Sequence, residues 1–102
     1  MFRTVSTVLL LIWLGASAHA FSGYGFTVCR LDPNGDNFLA LRTGPGSGNP
    51  MIMRLPPGTL VEERGSPTNG KWLPVVVQQT PQQVYLRDMP SGYVWGDYLC
   101  PS

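Results

Sequence analysis

Two stretches decide the fold: Leu39-Ala40-Leu41-Arg42-Thr43-Gly44-Pro45-Gly46, and Arg54-Leu55-Pro56-Pro57-Gly58-Thr59-Leu60-Val61-Glu62. The first begins with the apolar/polar alternation of a half-buried strand and then dissolves into glycine and proline. The second resumes as a strand after a Pro-Pro-Gly turn. Between them, Thr43 to Pro50 (TGPGSGNP) offers too few backbone donors and too much glycine for regular structure. The pattern is short strand, loop, short strand, turn, and it sets the reading of everything around it.

The same grammar continues in both directions. Upstream, Phe21 to Thr27 is a loose lead into a short strand ending near Cys29, and Asp32-Pro33-Asn34-Gly35-Asp36 is a turn cluster. Downstream, Thr59 to Arg64 and Lys71 to Val77 are strands joined through Asn69-Gly70, a strong hairpin signal. Gln78 to Gln83 reads as a polar loop, and Val84 to Arg87 as one more strand. The chain closes with Tyr93-Val94-Trp95, a bend at Gly96-Asp97, and Tyr98-Leu99-Cys100. No segment after residue 20 carries an amphipathic helical period. The expectation is an all-β domain, a small barrel or sandwich of about five to six short antiparallel strands.

Residues 1–20 read differently. Arg3, an apolar run from Val8 to Leu14, and the ending Ala18-His19-Ala20 form the order of a cleavable signal peptide, too short for a membrane span. An uncleaved anchor is the alternative. Cleavage leaves a short lead over residues 21–28 and a domain over residues 29–102, with no membrane anchor. The expected location is exported, periplasmic or secreted, the periplasm being favoured.

A domain of this size has a marginal core and benefits from a covalent staple. Cys29 and Cys100 are expected to pair, because an exported chain meets an oxidising compartment. Closing a loop of about 71 residues stabilises by roughly 4 kcal/mol on the chain-entropy model. Two unpaired buried thiols are the alternative. The formal charge of +1 falls to zero without Arg3, and no basic run exists, so nucleic acid and anionic membrane surfaces are poor partners.

Four motifs in order resemble the bacterial SH3 (SH3b) domain family. They are Leu39 to Pro45 (LALRTGP), Leu55 to Val61 (LPPGTLV), Gly70 to Val75 (GKWLPV), and Gly92-Tyr93-Val94 followed by Tyr98-Leu99. The resemblance spans nearly all of Cys29 to Cys100 and implies an SH3-like barrel. Thr43 to Pro50 would be the counterpart of the SH3 RT loop. The stretch Gln78 to Ser91 is longer than the family's usual connection. Gly92 to Leu99 is also similar to the ending of eukaryotic SH3 domains, with Trp95 at the groove proline and Tyr98 at the groove tyrosine.

The chemistry of the residues argues against catalysis. The only histidine, His19, lies in the leader, so no general base remains for a Ser-His or Cys-His pair. Glu62 and Glu63 are sequential on a strand and point to opposite faces. Asp32-x-Asn34-x-Asp36 opens like a calcium loop but has Asn37 where glycine is needed and Thr43 where a bidentate glutamate is needed. Gly44 to Gly48 lacks the lysine and helix of a phosphate cradle. No cofactor and no metal are expected.

Aromatic residues carry the binding signal. Alternation puts Leu73, Val75 and Val77 on the core face and Trp72, Pro74 and Val76 on the other. Trp72, Trp95 and Tyr98, with Arg42 or Arg54 nearby, are the expected ligand-binding groove, since rigid aromatics offer contact area at small entropic cost. The alternatives are that the aromatics cap the barrel ends and that the Arg42 stem covers apolar surface. No acidic residue lies between Thr43 and Pro57, and arginines at the loop ends favour a carboxylate-bearing ligand. The resemblance implies a non-catalytic, monomeric module binding peptidoglycan, especially its peptide portion. The competing expectation is a periplasmic protein–protein module, an adaptor or inhibitor that docks on an envelope protein.

Overall fold

The computed structural model describes residues 23–82 and 87–102. The leader over residues 1–20 lies outside the described residues, as does most of the strand expected over Val84 to Arg87.

Seven short strands form one antiparallel sheet. They are β1 (Gly25–Val28), β2 (Leu39–Arg42), β3 (Met51–Leu55), β4 (Leu60–Glu63), β5 (Trp72–Gln79), β6 (Ser91–Trp95) and β7 (Leu99–Pro101), with a 3-10 turn at Gly96–Tyr98. The sheet order is β3-β2-β6-β5-β4-β1-β7. The all-β class is as expected, but the strand count exceeds five or six, and the sheet does not close, leaving β3 and β7 as its edges. β1 is the short strand expected to end near Cys29; it lies within the lead over residues 21–28 and pairs with β4 on one side and β7 on the other, so it is an integral part of the sheet.

The turns explain why these residues form these strands. Pro56-Pro57-Gly58-Thr59 is a tight turn with Gly58 at φ +89°, a conformation glycine adopts without strain. Thr59 closes it, its N–H and its hydroxyl both donating to Pro56 O at 3.2 and 2.7 Å. At the β4–β5 hairpin, Asn69 and Gly70 both have positive φ, 51° and 94°, which suits the twist of the flanking strands. β5 runs two residues further than expected, with Gln79 pairing to Leu60, so the connection to β6 covers residues 80–90.

One apolar cluster fills the concave face. It comprises Val28, Leu39, Leu41, Leu55, Val61, Leu73, Val75, Val77, Val94 and Leu99. Val28 and Leu99 come from one end of the sheet order and Leu55 from the other, so the sheet curls until both ends reach a single core. Register shifts at Leu41/Arg42 and Leu60/Val61 add curvature where it is needed. The expected core face of β5 is the observed one, while Val76 on the opposite face is also buried, outside this cluster. Cys29 and Cys100 form a disulfide beside the β1–β7 ladder, across a sequence separation of 71. Such a bond is consistent with an exported protein.

Candidate functional site

The site starts from a strand pairing. Trp72 opens β5 and Trp95 ends β6, and the two are register partners. Their rings meet edge to face, centroids 5.4 Å apart and planes at 62°, a favoured aromatic geometry. After Trp95 the backbone turns at once, with Gly96 N donating to Lys71 O at 2.8 Å. This turn brings Asp97 back under the indole. Trp95 Nε1 donates to Asp97 Oδ2 at 3.0 Å, and Lys71 Nζ donates to Asp97 Oδ1 at 2.8 Å. Tyr98 follows, exposed at the end of the turn.

The hydrogen bonds from Lys71, chiefly, and from Trp95 hold the Asp97 carboxyl below its ordinary pKa. A carboxylate whose pKa is depressed on folding adds stability above its unfolded pKa and loses that stability as pH falls through the folded one. The clasp on Trp95 is therefore expected to persist through the ordinary Asp range and open only at lower pH. Tryptophan emission followed against pH checks this. Wild type should show an acid transition below the normal Asp value that Asp97→Asn lacks, and a transition at or above that value would contradict the clasp.

The facing wall comes from residues far away in sequence. Asn34 N donates to Asp32 Oδ1 at 2.9 Å and Gly35 N to Asp32 O at 3.0 Å, so residues 32–36 form the expected turn. Arg30, just after the disulfide, donates through Nη1 to the carbonyls of Asp97 and Leu99 at 3.1 and 3.3 Å. The loop over residues 43–50 is tied internally. Thr43 N donates to Pro50 O at 3.0 Å, Asn49 N to Gly46 O at 3.1 Å, and Arg42 Nη1 to Asn49 O at 2.9 Å. Asn69 Nδ2 donates to Pro45 O at 2.9 Å and moors the loop to the β4–β5 hairpin.

These elements enclose a groove of about 500 Å³. Trp72, Trp95, Tyr98 and Arg42, four of the five residues expected from the sequence, all line it. Arg54, the fifth, does not. It is exposed, and its guanidinium lies over the Phe38 ring, 5.1 Å from the centroid, so it touches the groove only through Phe38. Arg42 both braces the loop and lines the groove.

Comparison of the chain with protein-family models, with curated proteins and with solved structures finds no match.

Sequence reasoning missed Arg30, Asp32, Asp36 and Phe38, which also line the groove. The turn at 32–36 was legible as a turn, but nothing local in it says that it will face β5 and β6. The loop over residues 43–50 carries no acidic residue, but the groove beside it also takes two aspartates from the 32–36 turn, which stand in it with two arginines. Among the described residues, no group of three or more His, Cys, Asp or Glu side chains is placed to hold a metal ion, and no helix is long and apolar enough to cross a membrane.

Proposed function

We propose that this chain is a non-catalytic, exported binding module of the SH3b type that holds peptidoglycan, through its peptide portion, in the groove between β5–β6 and the 32–36 turn. One observation carries the reading. Trp72, Trp95, Tyr98 and Arg42, contributed by three strands and the 3-10 turn, converge on a single groove. Rigid aromatics with a guanidinium beside them suit an extended peptide bearing carboxylates. The barrel reading is supported by the curl of the sheet around one core shared by both of its ends.

Co-sedimentation of the oxidised chain from Phe21 to Ser102 with protein-free sacculi tests the proposal. Saturable binding is expected, weakened roughly thirtyfold by Trp72→Ala, the loss of about 2 kcal/mol typical of a central aromatic anchor. Circular dichroism should show the variant folded. Unchanged affinity in the folded variant would remove the groove from the mechanism.

A second reading, docking on an envelope protein, has one observation in its favour. The edge strand β3 exposes Met51 and Ile52, at 39% and 44% of their surface, beside a backbone rim that pairs with no other strand among the described residues. Crosslinking in envelope extract that recovers one protein stoichiometrically, together with no binding to sacculi, would support it.

A further inference from the structure

The groove is charge-balanced, and its charges are unequally committed. Its ionised side chains are Arg30, Arg42, Asp32 and Asp36. Arg30 is tied by Nη1 to two backbone carbonyls, and Asp32 is engaged in its own turn. Asp36 has no hydrogen bond to any described residue, and the bond of Arg42 to Asn49 uses Nη1 alone, leaving part of its planar fork open. A polyanion would meet the aspartates and a polycation the arginines, each with a like-charge penalty. The same groove is lined by Trp72, Trp95, Tyr98 and Phe38, rings that can cover an aliphatic stem. The contact of Arg54 with Phe38 shows that a ring of this wall already holds a cation on its face.

We infer that the groove recognises a zwitterionic peptide segment, one free amine seated at Asp36 and one free carboxylate on Arg42, with the intervening carbon chain laid across the aromatic rings. The inference rests on the groove being the ligand site, as proposed above, and specifies the ligand's chemistry within it. It names Asp36, which the sequence marks only as part of a turn, as a specificity-determining residue.

The probe is the peptide N-acetyl-Ala-Lys-Ala, whose two charges are the lysine ammonium and the terminal carboxylate. Two further forms each lack one charge, the Nε-acetylated peptide and the C-terminal amide. Titrations of the oxidised chain are read by tryptophan emission. The parent peptide should bind about fivefold more tightly than either single-charge form, the size of a partly exposed ion pair. In Asp36→Asn the difference between parent and Nε-acetylated peptide should vanish while the difference from the amide persists. That cycle isolates the amine–Asp36 pair from any general effect of the substitution. Equal loss on acetylation in wild type and Asp36→Asn, or no saturable binding of the parent peptide, would overturn the inference.

The sacculus experiment separates the two claims. Trp72-dependent binding to sacculi without coupling at Asp36 leaves the groove reading standing and removes this one. Coupling at Asp36 without sacculus binding supports the zwitterion site and directs the ligand search to protein termini.

Discussion

Replacing Cys29 and Cys100 together by serine is expected to lower the stability of the folded chain by roughly 4 kcal/mol, since the bond closes almost the whole domain into one loop. The sequence separation of 71 sets the size of the effect, through the entropy restored to the unfolded chain. Little else can compensate. Among the described residues the core cluster is ten side chains, all leucine or valine, a small apolar store for opposing the ordering of the backbone. The β1–β7 ladder that the bond flanks contains only the pairs Phe26↔Pro101, Thr27↔Cys100 and Val28↔Leu99. Urea titration of the double variant, and of wild type with and without reductant, measures the loss. A difference below about 1 kcal/mol would mean that the unfolded chain is already compact without the bond. Groove function should fall in parallel, because Arg30 and the carbonyls it binds at Asp97 and Leu99 lie beside the two cysteines.

Gly92→Val is expected to cost about 3 kcal/mol, the upper end of what overpacking usually does. A Cβ at Gly92 would sit 2.5 Å from the Arg42 carbonyl oxygen, 3.0 Å from Ile52 Cδ1 and 3.1 Å from Leu41 Cδ1. The two side chains can yield a little, but the backbone oxygen cannot move without parting β2 from β6. Those strands are joined through one register pair, Arg42↔Tyr93, and that seam attaches the whole β2–β3 hairpin to the rest of the sheet. The same seam carries Arg42 to its place beside Trp72 and Trp95, so ligand binding should weaken along with the fold. A melting curve and a binding titration on one preparation check both. An unaltered midpoint would show that the hairpin is held chiefly by the core contacts of Leu41 and Leu55 and that the seam is dispensable.

How much of this was legible beforehand depends on how local the determining physics is. β3 at Met51–Leu55 is the short strand expected between the 43–50 loop and the Pro-Pro-Gly turn, and the prolines at 50 and 56 bound it on both sides. The β4–β5 hairpin followed from Asn69-Gly70, and the core face of β5 from simple alternation through Leu73, Val75 and Val77. The end of β5 was not readable. Gln78 and Gln79 have the composition of a loop and are held in the strand by pairing with β4, a tertiary effect. β1 was expected as a short strand ending near Cys29, but its place between β4 and β7 was not readable, since Gly25-Phe26-Thr27-Val28 lacks a clear period and is held by neighbours on both sides.

The groove divides in the same way. Its β5 and β6 wall was expected, because alternation turns Trp72 outward and the resemblance of Gly92 to Leu99 to an SH3 ending implies a groove position for Trp95. Its other wall depends on which loop folds over which strand. The approach of Asp36 and Phe38 to Trp72 is set by the strand order, which puts β2 next to β6, and no residue near Asp36 encodes that order. Arg54 lies over Phe38 rather than in the groove lining, a nearer aromatic partner that strand position alone does not reveal.

The reach of the disulfide also decides what a single proteolytic cut would do to the chain. The connection over residues 80–90, with Pro81 and Gln82 exposed, lies between the two cysteines, as does the loop over residues 43–50. Hydrolysis of a single peptide bond in either place yields two pieces that remain one covalent particle. Each piece also keeps its strands in a sheet that is paired across the break, β5 with β6 in the first case and β2 with β3 in the second. A nick at these points is thus an unimolecular injury, open to re-association without dilution, and the working lifetime of the domain need not end with its first cut.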